Sequence, residues 1–175
     1  MTARITLVLG GTRSGKSTHA EALALSRPPP RVYLATAEAR DDEMARRIHE
    51  HRRRRADAWT TVEEPLLLPD AVYRYAGRPE ATLLVDCLTL WLSNLMEAGR
   101  NVEAATADLV AACDAVTGHL ILVANEVGLG IVPDNPLARA FRDHAGRLNQ
   151  AVAARADRVV FVAAGLALTL KPAGP

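Results

Sequence analysis

The chain has 175 residues, with 21 Lys and Arg against 20 Asp and Glu, and 49% of its residues are hydrophobic. This length predicts one domain over residues 1–175, and it is too short for a motor with a separate working domain. The net charge is close to zero, so it gives no indication that the partner is a nucleic acid or an anionic membrane. Two cysteines without metal-ligand spacing, and no visible signal peptide or membrane-length apolar run, predict a cytoplasmic protein without membrane insertion.

The first predicted strand, residues 5–9, leads into a glycine-rich turn that ends in Gly-Lys-Ser. Gly10, Gly15, Lys16 and Ser17 fit the phosphate-binding pattern G-x-x-x-x-G-K-[ST]. Glycines allow unusual backbone dihedrals, so that N–H groups can converge on phosphate oxygens, and the next helix would direct its positive end at the same anion. Lys16 would add a mobile charge, and the Ser17 hydroxyl could bind Mg²⁺. The predicted nucleotide-binding loop consists of Gly10, Gly11, Thr12, Arg13, Ser14, Gly15, Lys16 and Ser17.

The rest of the chain alternates between predicted strands and helices. Further strands are predicted at residues 32–35, 82–85, 120–124, 158–163 and 166–170. Helices are predicted at residues 19–26, 41–58, 66–75, 88–99, 102–116 and 136–155. Most of the strands are continuous apolar runs, which is typical of strands that are buried on both faces. The pattern therefore predicts an α/β fold of the P-loop, RecA-like type, with a mainly parallel sheet wrapped by helices and a C-terminal edge hairpin.

Five polar residues lie at or just beyond the carboxyl ends of predicted strands: Lys16, Thr36, Asp86, Asn125 and Glu126. Ligands of such folds bind outside these ends, so the five side chains should converge on one rim. Asp86 follows the predicted strand at residues 82–85 and is the expected carboxylate for Mg²⁺, held directly or through water. Capping the following helix is the other role open to Asp86. For Glu126, a site role and an ordinary loop role both remain open.

The segment from residue 41 to residue 64 contains an unusual basic run, because six of the ten residues from 46 to 55 are arginine. A charge run usually forms a solvated helix face. On a helix, however, His51 shares a stripe with Met44 and Ile48, whereas His49 lies farther round. A neutral imidazole among guanidinium groups could attack the α-phosphorus of a nucleoside triphosphate. A core or capping role for His51 remains the alternative.

Four stretches together resemble the bifunctional adenosylcobinamide kinase / adenosylcobinamide-phosphate guanylyltransferase family of cobalamin biosynthesis. They read GGTRSGKS, YLATAEARDDEMARRIHEHRRRRADAW followed by TVEEP, LLVDCLTLWLSN and NEVGLGIVPDNPLARAFRDHAGRLNQAVAARADRV. The resemblance covers nearly the whole chain in the family's order. It implies that ATP or GTP phosphorylates adenosylcobinamide. It also implies that GTP then donates GMP, through a guanylylated histidine, to give adenosyl-GDP-cobinamide and pyrophosphate.

The resemblance also implies roles for particular residues. The guanylylated histidine of the family's motif falls on His51, with Lys16 as the second catalytic residue, and Mg²⁺ would be held by Ser17 and Asp86. Of the four arginines that follow His51, Arg52 and Arg55 fit the family's pattern best. Besides the P-loop, the implied nucleotide contacts are Ala35, Thr36, Ala37, Arg52, Arg53, Arg54, Arg55, Glu63 and Asp86. The family is described as a trimer, and residues 88–96, expected to be exposed, have the apolar content for an interface.

Other functions remain possible from the sequence alone. A P-loop kinase of another small metabolite would need no guanylyl transfer, and His51 would then be dispensable. A regulatory GTPase is disfavoured, since no Asn-Lys-x-Asp string occurs, and a nucleic-acid motor is disfavoured by charge and size. For residues 125–135 and 142–149, corrinoid contact and subunit contact are both open.

Overall fold

The computed structural model describes residues 4–37 and 58–172. Its strands are β1 (Ile5–Gly10), β2 (Arg31–Ala35), β3 (Thr60–Glu63), β4 (Thr82–Asp86), β5 (His119–Asn125), β6 (Arg158–Ala163) and β7 (Leu166–Lys171). Its helices are α1 (Lys16–Leu25), α2 (Leu68–Ala76), α3 (Leu88–Glu97), α4 (Val102–Asp114) and α5 (Pro136–Arg155).

All of these strands lie in one sheet with the order β3-β2-β4-β5-β1-β6-β7. The strands from β1 to β6 pair in parallel, and only β7 runs antiparallel, against β6. The strand β1 lies between β5 and β6, with Gly10 level with Asn125 on one side and Val162 on the other. The mainly parallel sheet and the C-terminal edge hairpin that the sequence predicts are therefore confirmed.

Each face of the sheet is covered by helices, which explains the continuous apolar strands. On one face, α1 packs through Ala20 and Ala24 against strand residues such as Val8 and Val160. On the other face, α2, α3, α4 and α5 cover a larger cluster that includes Trp91 at its centre. Because both faces are buried, the six residues of β1 are all buried.

The structure differs from the sequence-based prediction at β3. This strand, Thr60–Glu63, pairs in parallel with β2 at the edge of the sheet and was not predicted. Its four residues are only half-buried or exposed, so it carries no continuous apolar run. Of the helix predicted at residues 41–58, residues 41–57 lie outside the described residues. The helix predicted at residues 66–75 begins two residues later, where Pro69 suits its first turn.

The expectation that residues 88–96 are exposed is also wrong. In α3, Leu88, Trp91, Leu92 and Leu95 are buried within the chain's own core. The apolar content of this segment is therefore explained by core packing. None of the helices in the described ranges is long and apolar enough to cross a membrane.

Candidate nucleotide and phosphate-transfer site

The phosphate-binding loop connects β1 to α1 at the carboxyl edge of the sheet. β1 ends at Gly10, and α1 begins at Lys16 with Gly15 as its N-cap. The φ angle of Gly15 is 95°, a left-handed conformation that costs glycine least of all residues. The strand, loop and helix thus occur in the order that the motif requires, and the helix N-terminus borders the loop.

The glycines of the loop have different reasons to be glycine. A Cβ on Gly10 would lie 2.5 Å from both Ser14 Oγ and the Val162 carbonyl oxygen. Gly11 has no neighbouring atom within 4 Å of such a Cβ, and its φ is not positive. The unusual dihedral that the sequence predicts for the loop glycines is therefore observed at Gly15, while Gly10 is needed for close packing.

The turn between β6 and β7 contacts the phosphate-binding loop. The Gly165 N–H donates to the Ser14 carbonyl oxygen at 2.8 Å, and a Cβ on Gly15 would lie 3.2 Å from Gly165 Cα. Lys16 Nζ donates to the Gly11 carbonyl oxygen at 3.3 Å, so its ammonium lies over the loop. Sequence reasoning did not assign any role to Gly165, because its contact with the loop depends on the β6–β7 hairpin.

Asp86 is placed at the end of β4 as expected, and its carboxylate has a partner that was not predicted. The Tyr33 hydroxyl donates to Asp86 Oδ2 at 2.9 Å. The N-cap of α3 is Cys87, without a side-chain cap, so the capping alternative for Asp86 is wrong. Tyr33 follows an apolar pattern in β2 and gave no sign in the sequence of its contact with Asp86.

The charges of Lys16 and Asp86 both act on the buried thiol of Cys87. Burial raises the pKa of the Cys87 thiol to about 11, and the Asp86 charge adds to the rise while the Lys16 charge opposes it. The donor set also fits Mg²⁺, since one hydroxyl and one carboxylate beside a phosphate cradle are what that ion uses with a nucleotide. The described residues contain no cluster of three or more His, Cys, Asp or Glu that would hold a metal by themselves.

The turn after β2 is bonded to the neighbouring strand. Thr36 is fully buried, and its hydroxyl both donates to the Cys87 carbonyl oxygen at 2.7 Å and accepts from the Cys87 N–H at 2.9 Å. The Thr36 carbonyl oxygen accepts from Asn94 at 2.7 Å. Thr36 therefore joins β2 to the start of α3, and Ala37, which is only half-buried, is the residue of this turn nearest to solvent.

Beyond β5, Asn125 and Glu126 lie beside the start of the loop. The Glu126 N–H donates to the Gly10 carbonyl oxygen at 3.0 Å. The Asn125 N–H donates to Thr89 Oγ1 at 2.7 Å, and its carbonyl oxygen accepts from Asn149 at 3.4 Å. Asn125 Oδ1 is buried and has no hydrogen-bond partner within the part of the chain that the structure describes. Such an acceptor is costly unless a ligand or water supplies a donor.

The remaining predicted site residues are distributed as follows. In the loop, Thr12 and Arg13 are exposed, whereas Ser14 is buried and Ser17 is half-buried. Glu63 ends the edge strand β3 and lies level with Ala35, at the same end of the sheet. His51 and the arginines that follow it, Arg52, Arg53, Arg54 and Arg55, lie outside the described residues.

Two cavities among the described residues do not coincide with the loop. One, of about 480 Å³, is lined along α2 and by Val62, Glu63 and Glu64. The other, of about 420 Å³, lies between α2 and the start of α4. Neither includes a residue of the phosphate-binding loop, so the chemistry is assigned from the loop's geometry and not from the size of a cavity.

The fold resembles solved structures of distant sequence. The flagellar accessory protein FlaH from Methanocaldococcus jannaschii aligns with a TM-score of 0.55 at 14% identity, over 97% of this chain and 78% of that one. The P4 protein from bacteriophage phi6, solved in complex with ADP, aligns with a TM-score of 0.53 at 15% identity, over 96% and 55%. At such identities the likeness shows the fold alone.

Closer relatives are found by sequence. The bifunctional adenosylcobalamin biosynthesis protein CobP of Pseudomonas aeruginosa is 48% identical over 167 residues, covering 94% of this chain and 96% of that protein. The CobU proteins of Salmonella typhimurium and Escherichia coli, which carry the same description, are 42% and 41% identical, and each alignment covers 94% of this chain and 98% of the relative. The family model described as cobinamide kinase / cobinamide phosphate guanyltransferase matches residues 6–170. With a complete phosphate-binding loop at the carboxyl edge of its sheet and this match along its length, the chain belongs to the cobinamide kinase / cobinamide phosphate guanyltransferase family.

Proposed function

We propose that this chain phosphorylates adenosylcobinamide with ATP or GTP and then transfers GMP from GTP to the resulting phosphate. The observation that carries this proposal is the family match over residues 6–170, which includes the complete phosphate-binding loop and Asp86 at the carboxyl end of β4. We propose that residues 1–175 act as one domain.

In the first reaction, the loop would hold the triphosphate so that its terminal phosphate faces the hydroxyl of the corrinoid's aminopropanol arm. Backbone N–H groups of the loop and the Lys16 ammonium would stabilise the charge on the transferring phosphate. Ser17 and Asp86 would hold Mg²⁺, which supplies further neutralisation of phosphate charge when it is bound. The Tyr33 hydroxyl keeps Asp86 oriented for this role.

In the second reaction, an imidazole nitrogen of His51 would bond to the α-phosphorus of GTP while the bond to the bridging oxygen breaks. Pyrophosphate leaves with that electron pair. A phosphate oxygen of adenosylcobinamide phosphate then attacks the same phosphorus, which forms the diphosphate link and releases the imidazole. The motif position of His51 supports this step. Among the arginines, Arg52 and Arg55 are proposed as the phosphate contacts.

The test is incubation of the purified protein with Mg²⁺ and GTP labelled at the α-phosphate, followed by denaturation and peptide mapping. An acid-labile GMP adduct is expected on His51, absent in His51→Ala and retained in His49→Ala, the matched control two residues away. An adduct-free wild type that still binds GTP would refute guanylyl transfer and leave a P-loop kinase of a small metabolite.

We also propose that the protein is a cytoplasmic homotrimer, as the family resemblance implies. We propose β7 for the contact between copies, because Leu166, Leu168 and Leu170 are exposed on this edge strand, whereas the large apolar side chains of α3 are buried. Light scattering after gel filtration should give three times the mass of the chain, and a Leu166→Ser, Leu168→Ser double variant should lower that mass. An unchanged mass in the variant would exclude β7 as the interface.

A further inference from the structure

The loop between β5 and α5 carries the most exposed large apolar side chains of the described residues. Leu129, Ile131 and Val132 have exposed fractions of 81%, 96% and 67%, and we call these three residues the apolar loop. Leu137, in the first turn of α5, adds a further exposed side chain. Exposed apolar groups that cluster in this way usually mark a binding surface, whereas scattered ones need no explanation.

The backbone of this loop is held in place by its own chain. The guanidinium of Arg142 donates to the carbonyl oxygens of Gly128 and Ile131, the latter at 3.2 Å. The guanidinium of Arg139 donates to the carbonyl oxygens of Pro133 and Asp134, at 2.9 and 2.8 Å. Two arginines of α5 thus fix four loop carbonyl groups, and the apolar side chains are presented to solvent on an anchored backbone.

The apolar loop follows the end of β5, where Glu126 is hydrogen-bonded to the phosphate-binding loop. Glu126 donates its N–H to Gly10, and the Glu126 carboxylate accepts from the Gly128 N–H at 2.5 Å. Ile131 follows five residues later, so its Cα lies within about 17 Å of that of Glu126 even if the chain were fully extended.

We propose that the apolar loop binds the corrinoid substrate, with its aliphatic side chains against the macrocycle. The inference rests on the proposed function, which requires a second substrate beside the triphosphate. A corrinoid is a large macrocycle with methyl groups and carboxamides at its edge, so it presents both apolar surface and N–H or O–H donors. The triphosphate is an anion that would be bound by Lys16 and by backbone N–H groups. Three exposed aliphatic side chains offer it no hydrogen bond and no charge.

The test compares two half-reactions in Leu129→Ser and Ile131→Ser. The KM for cobinamide in the kinase reaction should rise at least about tenfold, because a fully buried aliphatic side chain contributes that much to binding. The KM for GTP, and the formation of the GMP adduct from GTP alone, should remain those of the wild type, since neither involves the corrinoid. Leu25→Ser is the matched control, because this half-exposed leucine lies at the far end of α1.

The outcomes separate the inference from the function on which it rests. A wild-type protein that forms the adduct and phosphorylates cobinamide, together with loop variants whose cobinamide KM is unchanged, would overturn the inference alone. A wild type that does neither would overturn the proposed function and the inference with it. If the loop variants instead change the oligomeric mass in gel filtration with light scattering, the apolar loop is an interface between copies and the inference is wrong.

Discussion

Two adjacent glycines in the phosphate-binding loop should respond very differently to the same substitution. In Gly10→Ala, the new methyl group would lie 2.5 Å from the Val162 carbonyl oxygen and from Ser14 Oγ. The carbonyl belongs to β6 and is fixed by strand pairing, so it cannot move aside cheaply. In Gly11→Ala, the methyl group would meet no atom within 4 Å.

The expected magnitudes follow from this contrast. Overpacking of a well-packed site costs about 1–3 kcal/mol, so Gly10→Ala should lower the free energy of unfolding by that amount. For a chain of this size, about 1 kcal/mol shifts Tm by about 2–4 °C, which gives a fall of about 2–12 °C. The free energy of unfolding of Gly11→Ala should stay within about 1 kcal/mol of that of the wild type. An alanine that fits without strain also reduces the conformational entropy of the unfolded chain.

The assay is thermal unfolding followed by circular dichroism, on the protein without nucleotide, so that loss of binding does not contribute. Chemical denaturation at 25 °C should give the same order of stability: Gly11→Ala close to the wild type, and Gly10→Ala below both. If Gly11→Ala lost as much stability as Gly10→Ala, the packing argument for the two glycines would be refuted.

Three further predictions concern the metal site, the apolar loop and pH. Tyr33→Phe removes the hydroxyl that orients Asp86, so the Mg²⁺ concentration for half-maximal kinase activity should rise about tenfold or more, and an unchanged requirement would contradict this role. Arg142→Met removes the bonds to the loop carbonyl groups, so hydrogen exchange at residues 128–131 should accelerate and the KM for cobinamide should rise while that for GTP does not; slow exchange in the variant would show that the loop is held otherwise. Burial and the Arg158 charge lower the pKa of His19 below 6.5 in the folded protein. As the pH decreases below 6.5, His19 therefore binds a proton more readily in the unfolded chain, and the free energy of unfolding should decrease. His19→Gln should show a shallower fall in urea denaturation from pH 6.5 to pH 5, and an equal slope would exclude this contribution.

Much of the fold could be predicted from local patterns. The apolar strands β1, β4 and β5 are continuous runs, and such runs predict burial between helix layers without any knowledge of their neighbours. The strand β3 could not be predicted in this way, because it is short, half-exposed and stabilised by pairing with β2. The exposure expected for the apolar helix α3 could not be judged from the sequence. An apolar segment has the same composition whether it packs in the core or against another chain.

The site was predicted to a similar extent. The spacing of Gly10, Gly15, Lys16 and Ser17 identified the loop, because a phosphate cradle needs these residues at fixed positions within one short segment. The partners that support it could not be found in the same way. Tyr33 bonds to Asp86 and Gly165 bonds to Ser14 across 53 and about 150 positions of sequence, and neither pair has a spacing that a motif could encode.

The sequence by itself therefore determined the class of fold, the phosphate-binding loop and the family, because each depends on residues that are neighbours in the chain. Only the tertiary structure decided which glycine is crowded, which hydroxyl orients Asp86, and that Glu126 is hydrogen-bonded to Gly10. Those properties arise where the carboxyl ends of β1, β4, β5 and β6 meet, and the order of the strands in the sheet is set by packing and pairing over long separations.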